Sequence, residues 1–267
     1  MIYAAIAVVF LIILYLLAIR GRVGYKKLSE LQGFNYAHRG LHGNGVAENS
    51  MTAFRLAKEK GYGIELDVHL LKDGNLAVIH DCALKRTTGA EGNIEDLTID
   101  ELKNYSLENG EDTIPTFKEV LDLYNGAAPI IVELKPLKNQ AALAKAAADM
   151  LKDYNGAYCI ESFDPRCILW LKKNRPEIVR GQLCQNFFKT NDKLNFFIKL
   201  LLTNSLLNFL TKPDFVAYNF SHRKNISTVL CKKLWKMQMV GWTLRTKESQ
   251  KEAEKEGWLS IFEYYLP

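Results

Sequence analysis

Short apolar runs alternate with amphipathic segments over most of the chain. Eight of these runs are rich in the β-branched and aromatic residues that favour strands, and they cover residues 34–37, 63–70, 129–135, 157–163, 178–184, 215–220, 239–244 and 259–264. Helical periodicity separates them at residues 50–60, 141–154, 166–173, 226–237 and 247–256. Strands that alternate with helices form parallel βαβ units, and eight of them suit a closed barrel better than an open sheet. The pattern therefore predicts the α/β class and a TIM (β/α)8 barrel.

The alternation is interrupted between the second and third strands, over residues 72–128. Lys72-Asp73-Gly74-Asn75 is typical of a hairpin turn, and a second strand is predicted at residues 76–80, which end at His80. Helices are expected at residues 99–105 and 117–124. We therefore predict a small insertion at this point of the barrel.

The N-terminal segment differs from the rest, because residues 2–19 carry no charge and scarcely a polar atom. As a helix this segment would be about 27 Å long, close to the roughly 30 Å hydrocarbon core of a bilayer. A signal peptide has a positively charged start and a small-residue cleavage site, and a core helix keeps a polar stripe, so neither fits. The sequence predicts a transmembrane anchor over residues 1–20, a linker over residues 21–32 and a barrel domain over residues 33–267.

Charge and cysteine content predict on which side of the membrane the barrel lies. Four basic residues follow the apolar run and none precedes it: Arg20, Arg22, Lys26 and Lys27. Under the positive-inside rule this asymmetry predicts a single-pass membrane protein with its barrel in the cytoplasm. The five cysteines are scattered without a C-x-x-C pair, as in proteins of reducing compartments. A net charge of +5 without a basic stripe argues against nucleic acid as a partner, and the oligomeric state is left open.

Charged side chains occupy one face of two predicted strands. In residues 63–70, period-two geometry places Glu65, Asp67 and His69 on one face. The next strand repeats the arrangement with Glu133 and Lys135. An antiparallel sheet with one wet face gives the same alternation, but the βα context favours the mouth of a barrel. Because three converging carboxylates need a cation, the sequence predicts one divalent metal ion, Mg²⁺ or Ca²⁺, at Glu65, Asp67 and Glu133.

Six short motifs carry a family resemblance: His38-Arg39-Gly40, Glu48-Asn49-Ser50, Glu65-x-Asp67-Val68, Lys72-Asp73-Gly74, His80-Asp81 and Glu133-x-Lys135. With them the chain resembles the glycerophosphodiester phosphodiesterases, which are related in fold to phosphatidylinositol-specific phospholipases C. The resemblance runs from about residue 35 onward, weakens after the fourth strand and returns at Gly241-Trp242-Thr243. It implies a metal-dependent TIM barrel that hydrolyses glycerophosphodiesters to glycerol 3-phosphate and an alcohol, here at a membrane.

The resemblance also implies roles for individual residues. His38 and His80 match an acid–base pair, in which one imidazole deprotonates the attacking hydroxyl or water and the other protonates the leaving alkoxide. Arg39 and Lys135 match phosphate-binding positions, and the three acids named above match the metal ligands. Glu48 matches a site position for substrate binding, although its charge also suits the start of a helix.

Two regions leave alternatives open. Trp242, at the end of the seventh strand, is assigned to the substrate pocket, with core packing as the alternative. Residues 258–263 lack the family's usual glycine-rich turn, which bears on the choice of leaving group. The substrate is therefore a glycerophosphodiester or, by lysophospholipase D chemistry, a lysophospholipid. A membrane-tethered barrel that binds lipids without turnover is the non-enzymatic alternative.

Overall fold

The predicted strands are present and close into a barrel. The structure, a computed structural model, describes residues 1–108 and 110–267. Its strands are β1 Asn35–His38, β2 Gly63–Leu70, β3 Leu76–Val78, β4 Ile130–Leu134, β5 Tyr158–Ser162, β6 Arg180–Cys184, β7 Phe215–Asn219, β8 Gln238–Leu244 and β9 Trp258–Phe262. All but β3 pair in parallel, and β1 pairs with both β2 and β9, so eight of the described strands form a closed ring. The predicted TIM barrel is confirmed.

Helices follow most of the barrel strands. They are α1 Ile2–Ala18, α2 Met51–Glu59, α3 Lys85–Thr88, α4 Phe117–Tyr124, α5 Gln140–Met150, α6 Pro165–Asn174, α7 Phe196–Thr203, α8 Asn208–Thr211, α9 Ile226–Lys233 and α10 Lys247–Lys255. Ser50 Oγ accepts from the Ala53 N–H at 3.1 Å and Asn139 Oδ1 from the Ala142 N–H at 3.0 Å. These side-chain caps fix the starts of α2 and α5, and hence the lengths of the loops that leave β1 and β4.

Alternation along the strands separates an inner core from an outer one. The interior of the barrel is filled by Leu31, Tyr36, Ile131, Cys159, Val179, Leu183, Phe215, Ala217, Val240 and Ile261. Outward side chains of the same strands join a larger cluster under the helices. Tyr36 pairs with Gly63, so Glu65 and Asp67, two and four residues further along β2, also point inward. The acids predicted to share a face therefore lie at the carboxyl-terminal mouth.

Gly181 of β6 leaves room for a large neighbour in the inner core. A Cβ atom at this position would lie 2.1 Å from the Phe215 ring. We expect Gly181→Ala to lower the free energy of unfolding by about 1–3 kcal/mol through overpacking, measured by chemical denaturation. Adding Phe215→Leu should recover part of the loss. Equal stability of Gly181→Ala and the unaltered protein would contradict this packing.

The segment between β2 and β4 forms a substructure beside the mouth. The turn at residues 71–75 joins β2 to β3, and these two strands pair antiparallel, as the hairpin motif predicts. Residues 99–104, expected as an α-helix, form a 3₁₀ helix, whereas α4 matches its prediction. A separate apolar cluster holds this insertion together: Ala47, Leu71, Ala77, Ile79, Leu84, Ile94, Leu97, Leu102, Leu107 and Ile114.

The apolar N-terminal run is shorter as a helix than the sequence predicts. α1 ends after 17 residues, about 26 Å of helix. Ile19 is fully buried, its carbonyl accepts from Asn208 Nδ2 at 3.0 Å, and Trp235 Nε1 donates to the Leu16 carbonyl at 3.0 Å. No helix within residues 1–108 and 110–267 combines the length and the apolar character needed to cross a bilayer. The predicted single-pass transmembrane anchor is therefore wrong, and the cytoplasmic location inferred from it loses its basis. The helix ends at Ala18, and Ile19, the last residue of the apolar run, packs in the core.

The predicted linker, residues 21–32, contacts the end of the barrel opposite the mouth. Arg22 Nη2 donates to Asp214 Oδ2 at 2.6 Å, just before β7. Leu31 is buried in the inner core, and its carbonyl accepts from Tyr36 Oη at 2.6 Å. A boundary between linker and barrel domain at residue 32 remains a prediction.

Candidate active site

Three carboxylates meet at the mouth of the barrel. Glu65, Asp67 and Glu133, here called the carboxylate cluster, each offer an oxygen within 4.8 Å of the others, and all three are buried. Asp67 and Glu133 are directly paired across β2 and β4. The register of two neighbouring strands thus produces the convergence that period-two alternation predicted.

Burial and mutual repulsion disturb the ionisation of this cluster. Burial and the neighbouring Asp67 raise the pKa of Glu65 well above its usual range, and burial raises the pKa of Glu133 to about 7. Burial opposes ionisation of Asp67 as well, but the Lys135 ammonium holds the pKa of Asp67 well below its usual range. Burial and repulsion therefore oppose the ionised forms of Glu65 and Glu133, and a further cation would favour them.

The carboxylate oxygens of the cluster are suitable ligands for a divalent cation. Asp67 Oδ1 and Glu133 Oε1 are buried and form no hydrogen bond to the described residues. The Lys135 ammonium forms ion pairs with these two oxygens at 3.1 Å and 2.7 Å. Mg²⁺ and Ca²⁺ both prefer carboxylate oxygens of this kind. The cluster can therefore hold a divalent metal ion, and its residues do not select between the two.

Arg39 lies beside the same cluster, directly after β1. Its Nε lies 3.3 Å from Asp67 Oδ2, and its Nη1 lies 3.0 Å from Glu48 Oε1. The backbone of Arg39 is left-handed, with φ of 54°, and its N–H donates to the Glu65 carbonyl at 2.9 Å. With Lys135 opposite, both predicted phosphate-binding cations lie at the mouth.

Glu48 links the barrel to the insertion. Its Oε1 accepts from Arg39 Nη1 at 3.0 Å and from Arg86 Nη2 at 2.6 Å. Burial would raise the pKa of Glu48, but Arg86 and Arg39 together hold it below its usual value. Arg86 also donates to Asp81. The carboxylate predicted to bind substrate is therefore engaged in orienting two arginines, one of which, Arg86, sequence analysis missed.

His38 bridges the carboxylate cluster and an acid that sequence analysis also missed. Its Nε2 lies 3.8 Å from Glu65 Oε2, while its Nδ1 lies 2.9 Å from Glu263 Oε1. Arg245 Nε donates to the other oxygen of Glu263 at 2.8 Å. Burial lowers the pKa of His38 below its usual value, although the hydrogen bond to Glu263 opposes this. Glu263 could have been predicted from the sequence, because it directly follows the last strand and polar residues at the carboxyl-terminal ends of barrel strands converge at the mouth.

His80 is carried by the insertion. Its Nδ1 lies 2.6 Å from Asp81 Oδ1, and burial lowers the pKa of the imidazole. His69 Nε2 donates to the His80 carbonyl at 3.1 Å, and burial lowers the pKa of His69 to about 4. His69 is therefore neutral and holds the backbone that presents His80.

An aromatic wall borders the site. The rings of Trp242 and Phe163 meet edge to face with centroids 5.5 Å apart, and Phe163 meets Phe187 at 6.0 Å. Of these three rings Phe163 lines a cavity of about 360 Å³, together with His80, Lys135 and others. Its size is in the range of small-molecule sites. Trp242 thus contacts a residue of the pocket, and both its pocket and its packing roles stay predictions.

Glu161 of β5 is a further buried acid beside the cluster. It pairs with Glu133 across β4 and β5, and its Oε2 lacks a hydrogen-bond partner in the described part of the chain. Burial, with Glu133 nearby, raises the pKa of Glu161 well above its usual range. The sequence could have indicated this residue, because period-two alternation within residues 157–163 places Glu161 on the same inward face as Cys159.

A TIM barrel with two imidazoles, two cations and a carboxylate cluster at its mouth is suited to act on an anionic diester, and the family comparison agrees with this class of protein. The model of the Glycerophosphoryl diester phosphodiesterase family matches residues 38–262, most of the chain. The protein belongs to this family, and the resemblance drawn from the motifs is confirmed.

Individual relatives show how far the likeness extends. A glycerophosphodiester phosphodiesterase of Bacillus altitudinis is 46% identical over 111 residues, which are 39% of this chain and 44% of that protein. A lysophospholipase D of Homo sapiens is 36% identical over 132 residues, 45% of this chain and 41% of the relative. A solved Oleispira antarctica phosphodiesterase, in complex with the product sn-glycerol-3-phosphate, superposes with a TM-score of 0.72 at 24% identity, covering 89% of this chain and 94% of that one. The chain spans less than half the length of these two curated relatives, and the structural likeness at this identity concerns the fold.

Proposed function

We propose that this chain is a metal-dependent phosphodiesterase that hydrolyses glycerophosphodiesters to glycerol 3-phosphate and an alcohol. The observation that carries the proposal is the carboxylate cluster at the barrel mouth, with His38, Arg39 and Lys135 against its oxygens and His80, Glu133 and Lys135 lining the adjacent cavity. Each group has a task in the hydrolysis of an anionic diester. Family membership supports the same reaction.

Arg39 and Lys135 bind the phosphodiester in this proposal. Both side chains are held by acids, Arg39 by Glu48 and Lys135 by Glu133, so that their positions are fixed before substrate arrives. Preorganised cations stabilise the negative charge that grows on the phosphoryl oxygens in the transition state. A divalent cation on the carboxylate cluster supplies further positive charge to the same oxygens when bound.

His38 and His80 move the protons. One imidazole accepts a proton from the attacking water, or from the glycerol 2-hydroxyl, and the other donates a proton to the alkoxide as its P–O bond breaks. Each ring donates from Nδ1 to a carboxylate, Glu263 for His38 and Asp81 for His80. That hydrogen bond fixes the tautomer and leaves Nε2 for the substrate. Water overall adds a hydroxyl to phosphorus and a proton to the departing alcohol.

Lysophospholipids are a second substrate class that two observations favour. One relative is named lysophospholipase D, and Phe163, packed against Phe187 and Trp242, contributes an apolar ring to the lining of the cavity. The bond broken is again on the alcohol side of phosphate. The two classes differ only in whether an acyl chain is present on the glycerol.

The test is to assay the full chain against glycerophosphocholine, glycerophosphoethanolamine and their lysolipid counterparts, with Mg²⁺, with Ca²⁺ and with chelator. We expect metal-dependent release of choline or ethanolamine, and the preferred panel identifies the substrate class. Activity that survives exhaustive chelation would contradict the metal requirement. If the chain binds these compounds without turnover under every metal condition, the alternative of a non-catalytic lipid-binding barrel is favoured.

Glu263 should position His38 and set its pH dependence. Glu263→Gln removes a negative charge that stabilises the imidazolium form, so the pKa of His38 falls. We expect kcat to drop by about tenfold, less than the roughly 10²-fold minimum for removing an acid–base residue itself. The inflection that His38 causes in the pH–rate profile should move to lower pH. If that inflection is the acidic limb of the kcat/KM profile, His38 is the base; if it is the basic limb, His38 is the acid. Glu263→Asp should restore the profile in part, and an unchanged profile in Glu263→Gln would exclude this role.

A further inference from the structure

A second group of metal-ligating atoms lies where β1 meets β9. His38 Nδ1 and His42 Nε2 lie 2.9 Å and 3.2 Å from the same oxygen, Glu263 Oε1. All three ligand atoms lie within 4.8 Å of one another. None of the three belongs to the carboxylate cluster, so the barrel mouth carries two separate sets of converging ligand atoms.

The spacing of this set matches tetrahedral coordination by a small transition metal. Ligand bonds of about 2.0–2.1 Å place the ligand atoms of a tetrahedral zinc ion about 3.3 Å apart. The two measured distances to Glu263 Oε1, 2.9 Å and 3.2 Å, are close to that edge length.

The donor chemistry of this set differs from that of the carboxylate cluster. Two imidazole nitrogens and one carboxylate oxygen suit Zn²⁺, whereas an all-carboxylate cluster suits Mg²⁺ or Ca²⁺. His42 Nε2 is buried and lies 3.2 Å from Glu263 Oε1, so this ring nitrogen faces the position of the proposed ion. Arg245 holds Glu263 Oε2 at 2.8 Å and leaves Oε1 directed at the two imidazoles. An outer partner of this kind fixes the orientation of a metal ligand.

Solvent reaches this set through a cavity that two of its three residues line. His42 and Glu263 line a cavity of about 470 Å³, together with Gly43, Asn44 and Tyr264. The cavity provides an entry path, and a water molecule from it supplies the fourth ligand of a tetrahedral site.

We propose that His38, His42 and Glu263 form a zinc site that inhibits the enzyme. A metal on His38 Nδ1 displaces the proton that this nitrogen otherwise donates to Glu263. A neutral imidazole must then carry its proton on Nε2, the atom that faces the carboxylate cluster, and that nitrogen can no longer accept a proton. The binding of zinc stands independently, while its inhibitory effect rests on the proposed hydrolysis and on His38 as its base.

Binding is tested with the metal alone on the full chain. With the carboxylate cluster saturated by Mg²⁺ or Ca²⁺, calorimetry should show one equivalent of Zn²⁺ bound, and Co²⁺ should give the intense visible absorption of tetrahedral coordination. His42→Asn should weaken Zn²⁺ binding at least about tenfold, as expected for the loss of a ligand. His222→Asn, a change at a histidine outside the set, and Glu65→Gln, a change in the carboxylate cluster, should both retain it. No zinc bound under these conditions, or equal binding by the unaltered protein and His42→Asn, overturns the site.

Inhibition is tested by comparing each variant with its own zinc-free rate. Zn²⁺ should suppress turnover of the unaltered protein at saturating Mg²⁺ or Ca²⁺, and His42→Asn should keep its rate at the same zinc concentration. Equal suppression of both proteins overturns inhibition through this site. A chain that binds zinc in the expected pattern but hydrolyses none of the diesters supports the metal site and refutes the proposed hydrolysis, so the two failures are distinguishable.

Discussion

Replacing either proposed proton-transfer residue with alanine should lower kcat by about 10²- to 10⁴-fold. His38→Ala removes the imidazole held by Glu263, and His80→Ala removes the one held by Asp81. Because both act on the reacting atoms, the loss should appear in kcat and in kcat/KM alike, with little change in substrate affinity. Steady-state release of choline or ethanolamine from the preferred substrate measures it.

The control for these variants is His222→Ala. His222 lies after β7, and its Nδ1 accepts from the Asn186 N–H at 3.3 Å, a contact apart from the proposed chemistry. All three variants should keep the circular dichroism spectrum and cooperative unfolding of the unaltered chain. A loss of activity in His222→Ala as large as in the others would show that imidazole removal acts through the fold. Near-normal turnover in His38→Ala or His80→Ala would remove that residue from the proton transfers.

Glu65→Gln should weaken the binding of the catalytic divalent metal at least about tenfold and raise the metal concentration required for activity accordingly. Glutamine keeps the shape of the side chain but removes the charge that a hard cation needs. Glu65 is the cleanest member of the cluster to change, since both other members lie next to the Lys135 ammonium, and their loss would also release that cation. Calorimetric titration with Mg²⁺ or Ca²⁺ and activity against free metal give two independent measurements.

Glu161→Gln is the matched control for this change. Glu161 is as deeply buried as the cluster, and it pairs with Glu133 across neighbouring strands. It lies outside the group of three acids whose oxygens converge. Its replacement should leave the metal titration within about threefold of the unaltered protein, below the tenfold effect of losing a ligand. If Glu161→Gln and Glu65→Gln weaken binding equally, the metal site extends to β5, and if neither does, it lies elsewhere.

The parts of this fold that sequence could predict depend on local periodicity. Every barrel strand lies within a residue or two of its expected range, because period-two alternation and the following helix are both properties of contiguous residues. The convergence of Glu65, Asp67 and Glu133 follows from the same periodicity once β2 and β4 are neighbours. The short sequence motifs identified the family, and the family comparison confirms it.

The parts that sequence could not predict depend on contacts between distant segments. Glu263 contacts His38 across 225 residues, and Glu48 contacts Arg86 across 38, so that no local pattern links either pair. The N-terminal run failed for a related reason. Hydropathy measures the apolar character of a run but not the residue at which its helix ends, and here the helix ends at Ala18 while Ile19 packs in the core.

The pairing of the first strand with the last has a consequence for how activity is acquired. β1 gains its second neighbour only when β9 docks, and the same event brings Glu263 to His38. Long-range closure of this kind comes late in folding, since a large loop must be ordered before any contact compensates for it. During refolding, turnover should therefore return after the burial of the aromatic residues and not with it. Enzymatic rate becomes a reporter of the final folding step, and a chain stalled before that step would be nearly native in shape but unable to hydrolyse substrate.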